Sequence, residues 1–98
     1  MTLAVVFRHA ARRELDEAAL WYEERRSGLG VEFVSEINRA VYLLAENPER
    51  FPIIHRDIRC VRARRFPYSV FFRAEPRRII VLAVFHARRD PSAWQQRV

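Results

Sequence analysis

His86 closes an apolar run and is followed by Arg88 and Arg89 in VLAVFHARRD (81–90). An imidazole beside guanidinium groups is equipment for moving a proton next to a phosphate. Cleaving RNA through its 2′-OH needs a base, a proton donor for the leaving oxygen, and cations for the charged transition state. Arg59, Arg62, Arg65, Arg73 and Arg88 could supply the cations. The base is harder to find, because the chain has no lysine and arginine stays protonated. That leaves His86, with Tyr68 or Glu49 as distant helpers. A histidine at a strand end also serves structure through a single hydrogen bond, and the residues alone leave both roles open. His9 and His55 stand at element boundaries without companions and read as structural or exposed. The chain shows no Gly-rich phosphate loop, no Ser/His/Asp spacing and no Cys/His cluster for a metal. Its one cysteine, Cys60, cannot form an internal disulfide. No cofactor and no metal are expected.

The cations are not evenly spread. Residues 1–49 carry six Arg against nine Asp or Glu, and residues 50–98 carry twelve Arg against three acids. The balances of −3 and +9 make up the net charge of +6. Arginine in place of lysine is what a GC-rich genome would produce, but that does not segregate the charge. The asymmetry points to an acidic partner or nucleic acid for the second half.

The elements that must hold these residues follow from periodicity. Ninety-eight residues, half of them hydrophobic, make one domain, 1–98, with a single core. No apolar run approaches the ~20 residues that cross a bilayer, and the start is unlike a signal peptide. A cytoplasmic protein with no membrane partner is expected. Leu3 to Arg8 alternates and reads as a short strand. Ala11, Leu15, Ala18, Ala19 and Tyr22 then fall at helical spacing, predicting a helix over about 9–26 that Ser27-Gly28 closes. Trp21 lies off this stripe and reads as a second packing contact. Phe33, Val34, Ile37, Ala40, Val41 and Leu44 predict a second helix over 29–46, stopped by Asn47-Pro48. So short a connection makes the pair an antiparallel helical hairpin.

Glu49 to Asp57 reads as a loop, with Phe51 and Ile53 or Ile54 tucked in. Ile58 to Arg65 reads as a strand with arginines on both sides, Arg59 and Arg65 on one and Arg62 and Arg64 on the other. Such a strand suits an edge or a strand with an open face. Pro67 opens the next strand, since it lacks an N–H, and Tyr68 to Arg73 is β-rich. After a break at Glu75-Pro76-Arg77, a partner strand runs from Ile79 to Phe85, ending at His86. Trp94 is expected to anchor the C-terminus. The fold class is α+β in the order β-α-α-β-β-β, with the helical hairpin on one face of a mainly antiparallel sheet. The other face is left partly uncovered and ringed by arginines.

Four segments, ALWYEERRSGLG (19–30), ENPERFP (46–52), RRFPYSVFFR (64–73) and VLAVFHARRD (81–90), resemble the RelE/ParE superfamily of toxins from type II toxin–antitoxin modules. The likeness covers nearly the whole chain in order and is nearest to the ParE-like, plasmid-stabilisation branch. It implies a small toxin neutralised by a cognate antitoxin, ParD-like or similar. ParE-type members act on DNA gyrase, and RelE-type members cut mRNA in the ribosomal A site. The reading that follows is a ParE-like, non-enzymatic inhibitor of DNA gyrase. The alternative is a RelE-like, metal-independent endoribonuclease working on ribosome-bound mRNA, with His86 as base and Tyr68 as helper. In either case Arg59, Arg62, Arg64, Arg65, Arg73, Arg88 and Arg89 are the expected contacts to target or antitoxin.

Overall fold

A computed structural model describes residues 3–98. It is a mixed five-stranded sheet in the order β1-β5-β4-β3-β2. The strands are β1 (Ala4–Phe7), β2 (Ile53–His55), β3 (Ile58–Arg62), β4 (Tyr68–Ala74) and β5 (Arg78–His86). Strand β1 lies parallel to β5, and every other pairing is antiparallel. Two helices, α1 (His9–Arg25) and α2 (Leu29–Glu46), form the hairpin on one face, within a residue of the expected bounds.

Each helix stops where its residues require. Gly28 adopts φ 89°, a left-handed conformation that costs glycine little. Glu23 then closes the turn: its carboxylate accepts the Gly28 amide at 2.9 Å and the Gly30 amide at 3.0 Å. Two otherwise orphaned donors at the start of α2 are satisfied in this way. Gly30 also lets the helices touch, since a Cβ there would lie 2.5 Å from the Ala19 carbonyl oxygen. Leu15, Phe33, Ile37 and Leu44 are buried against Val70, Phe72, Ile79 and Val81 of the sheet. None of the described helices is long and apolar enough to cross a membrane.

Four expectations are corrected. Residues 49–57 are not all loop: a 3-10 turn over Pro48–Arg50 leads into β2, which pairs with β3. Strand β3 is therefore not an edge, and β2 covers it. Phe51 is half-buried, but Ile53 and Ile54 are exposed, because β2 is an outermost strand with little above it. Strand β3 also ends at Arg62, not Arg65. Phe66 must turn inward to meet Tyr22 and Phe33, with centroids 4.9 and 5.3 Å away. That inward turn pulls residues 63–67 off the sheet and puts Arg65 at φ 68°.

The far face of the sheet is better covered than arginines on a bare surface would suggest. The chain returns through a short helix, α3 (Ser92–Gln95), and buries Trp94 there. Trp94 stacks on Phe71 at 4.3 Å and meets His55 edge-on at 5.6 Å. With Ile58, Ile80, Leu82, Ala83 and Phe85 it makes a second, smaller core. Trp94 thus anchors the C-terminus as expected. Ala83 belongs to this second core and not to the one under the helices, for a reason that also builds the candidate site.

Candidate functional site

Along β5, Ile79 and Val81 face the helices, and simple alternation would put Ala83 and Phe85 beside them. A bulge intervenes. Phe71 pairs with Ala83 and Phe72 with Val81, so Leu82 is an extra residue on β5. Beyond it the parity is reversed. Val84 joins the core beneath the helices and Phe85 the opposite one, and His86 swings to the α1 side. There it sits opposite Tyr68 in the ladder, with ring centroids 5.1 Å apart at 82°.

These two residues lie in a cleft of about 350 Å³ between the end of the sheet and α1, whose walls include Glu14, Glu17, Trp21, Tyr22 and Arg89. The Arg88 amide donates to His86 Nδ1 at 3.0 Å, so the proton of the neutral ring is on Nε2. Burial pushes the hydroxyls of both Tyr68 and Tyr22 up, and for Tyr68 the neighbouring Tyr22 and Glu14 add to the rise. Both phenols stay protonated. Trp21, expected as a packing contact, is half-exposed and lines this cleft, with the Arg25 guanidinium 4.0 Å from its ring centre.

Glu14 was not singled out by sequence reasoning. Strand β1 ends at Phe7 opposite Val81, so the last residues of β5 outrun their partner on that side. Side chains replace the missing strand. Glu14 Oε1 accepts the Val84 amide at 3.1 Å, and Arg97 donates to the Leu82 carbonyl at 3.0 Å. The two are also paired with each other through two bonds of 3.0 and 2.7 Å, and Arg89 adds a third cation contact to Glu14 at 2.7 Å. Arg89 and Arg97 lie over the Phe85 ring as well. A partner about seventy residues away leaves no local signal, so nothing in the sequence marks Glu14.

The predicted arginines divide into three groups. Arg59 and Arg73 are structural and sit toward the other end of β3 and β4. Arg59 donates to the carbonyls of Glu49 and Phe51 at 3.3 and 2.6 Å, and so fixes the 3-10 turn. Arg73 bonds Asp57 at 2.8 Å, which holds that carboxyl below the usual range. Glu49 does not line the cleft near His86. Arg65 and Arg89 are near the right end of the sheet but are paired, Arg65 to Glu32 at 2.6 Å and Arg89 to Glu14. The hydrogen bond from Arg65 lowers the pKa of Glu32, and Arg26 adds to the effect at 3.0 Å.

Arg62, Arg64 and Arg88 form the third group, exposed and without an ion-pair partner among the described residues. Arg62 and Arg64 are joined by Arg39 from α2, which the sequence analysis did not single out. The three rim a second groove of about 510 Å³, floored by Leu43, Phe51, Ile54 and Val61. Its helical signal was the spacing of Arg39 and Leu43, one turn apart. No cluster of three or more His, Cys, Asp or Glu among the described residues could hold a metal ion.

The order of one strand, two helices and four further strands gives a fold that is shared with solved chains of toxin–antitoxin systems. The model of the ParE toxin of type II toxin–antitoxin system, parDE, matches residues 5–91, and the chain belongs to that family. No curated protein sequence matches it. Among solved structures it is similar to a chain of the chromosomal ParDE system from P. aeruginosa. That likeness has a TM-score of 0.73 at 20% identity and covers 87% of this chain and 96% of the other. It is also similar to a chain of the toxin–antitoxin complex RelBE2 from Mycobacterium tuberculosis. There the TM-score is 0.61 at 21% identity, covering 88% of this chain and 99% of that one.

Proposed function

We propose that this chain is a ParE-type toxin that inhibits DNA gyrase by binding it, and that a cognate antitoxin neutralises it. The observation that carries this is the fate of the cations around His86. A ribonuclease needs free positive charge over the scissile phosphate. Here Arg89 and Arg97 are both committed to Glu14, and a second carboxylate, Glu17, lines the same cleft. Glu17 repels a phosphodiester, the one guanidinium among the cleft walls, Arg89, is paired with Glu14, and the unpaired Arg88 is not among those walls. A surface of this kind suits recognition of a protein better than cleavage of a polyanion.

The groove rimmed by Arg39, Arg62 and Arg64 supports the antitoxin. It offers apolar floor and unpaired cations, which fit an amphipathic, acidic segment that orders on binding. Expressed alone, the chain should be toxic or poorly soluble, and co-expression with its neighbouring reading frame should rescue it. A chain that is harmless and soluble alone, with no neighbour co-purifying, would sink the toxin reading.

The side-by-side placement of His86 and Tyr68 favours one other reading, the RelE-like endoribonuclease, since a base and a protonated donor then share a cleft. The two are separated by inducing wild type and His86→Gln in cells and following DNA damage signalling, supercoiling and mRNA ends. A gyrase inhibitor should give DNA damage with both proteins. A ribonuclease should give codon-phased cuts that fall about a hundredfold or more in His86→Gln, the scale of lost general acid–base catalysis.

A further inference from the structure

We infer that the cleft beside His86 receives an arginine side chain of a polypeptide partner. This rests on the protein-binding reading of the same cleft and names the chemistry that would enter it. Glu14 is saturated by its four bonds. Glu17 is the carboxylate left over. Its one ion pair, with Arg13, is 4.0 Å long between two largely exposed side chains, a contact worth little. Three rings set at steep angles line the same cleft, Trp21 one turn along α1 from Glu17. Trp21 meets Tyr22 at 5.1 Å and 87°, and Tyr22 meets Tyr68 at 6.2 Å and 67°. Ring faces within about 6 Å attract a cation, and Trp21 already holds the guanidinium of Arg25 at 4.0 Å.

Size and charge narrow the ligand. A volume of about 350 Å³ is at the small end for ligand pockets and suits one side chain better than a nucleotide. An anion meets Glu17. A neutral apolar group would bury that carboxylate and the tyrosine hydroxyls without partners. A guanidinium stacks on the rings and donates to Glu17, and its flat fork does both at once. The net charge of +6 opposes non-specific uptake of a cation, and saturation read at Trp21 reports a site beside that ring.

The test uses the indole N–H resonances of the full chain, with one tryptophan in the cleft and one buried on the far face of the sheet. N-acetyl-arginine amide is the probe, and N-acetyl-citrulline amide is its neutral isostere. The arginine probe should shift the Trp21 signal saturably at millimolar concentration and leave Trp94 unmoved, with the citrulline probe several-fold weaker. Glu17→Gln should bring the arginine probe down to the citrulline level. Equal responses to both probes, or none, would overturn the assignment. In cells, a Glu17→Gln chain that stays toxic but escapes its antitoxin would place the arginine on the antitoxin. Lost toxicity with antitoxin binding intact would place it on the target. A variant as toxic and as well neutralised as wild type counts against the inference. Absence of DNA damage with probe binding intact would remove gyrase and leave the cleft assignment standing.

Discussion

At the scale of single residues, Glu14 has consequences out of proportion to its unremarkable place in the sequence. Its side chain is 12% exposed, and removing it strands the Val84 amide and two guanidinium groups. Glu14→Ala should cost about 1–3 kcal/mol, the penalty of leaving buried polar groups unpaired. Urea denaturation followed through Trp94 would measure it, and Glu14→Gln should cost less. The two exposed carboxylates with depressed pKa values behave differently. Glu32 is lowered by its hydrogen bond from Arg65, and Asp57 by its hydrogen bond from Arg73. The stability they lend is present above the unfolded carboxylate range and is lost as pH falls through their folded values. Wild type should therefore lose more stability on acidification than Arg65→Gln or Arg73→Gln, and added salt should shrink the difference. Equal acid sensitivity in all three would show that these pairs contribute nothing.

At the scale of elements, helical periodicity proved a reliable guide and strand ends did not. Both helices were legible because Leu15, Phe33, Ile37 and Leu44 each sit on a stripe of period 3.6 and are all buried. Ile37→Ala or Leu44→Ala should cost about 2–5 kcal/mol, and hydrogen exchange should show α2 as protected as the sheet. Gly30→Ala tests the helix–helix contact, since the added methyl meets backbone, the Ala19 carbonyl, and not a movable side chain. A loss of about 1–3 kcal/mol is expected, with the hairpin pried apart at its turn. The bulge at Leu82 could not be read, because the run from Ile79 to Phe85 is apolar on both faces and carries no alternation to break. Without the bulge, His86 could not be placed on either face.

At the scale of the molecule, the two-layer arrangement was legible and its third cover was not. The sequence pointed to Trp94 as an anchor, but nothing local told which face of the sheet it would cover. Trp94→Ala should cost about 3–5 kcal/mol, and the same change should expose Phe71 and Ile80. Thermal melts together with binding of a hydrophobic dye would check both, and a stable, dye-negative variant would show that the far face holds without it. The pairing of the candidate arginines was only partly legible for a related reason. Charge segregation pointed to the second half of the chain, yet which guanidinium groups remain unpaired depends on Glu14, Glu32 and Asp57, whose positions only the fold brings near.

The side-chain patch along β5 joins residue 14 to residue 97, nearly the whole length of the chain. Synthesis runs from one to the other, so a growing chain can form α1 and α2 long before Arg97 exists. Until Arg97 has emerged, the Leu82 carbonyl has no partner on that side and Glu14 lacks two of its four bonds, so the wall of the cleft near His86 is unfinished. That wall therefore closes later than the helices that frame it. A partner that binds there before Arg97 is in place would act on a late step of folding as well as on the finished surface.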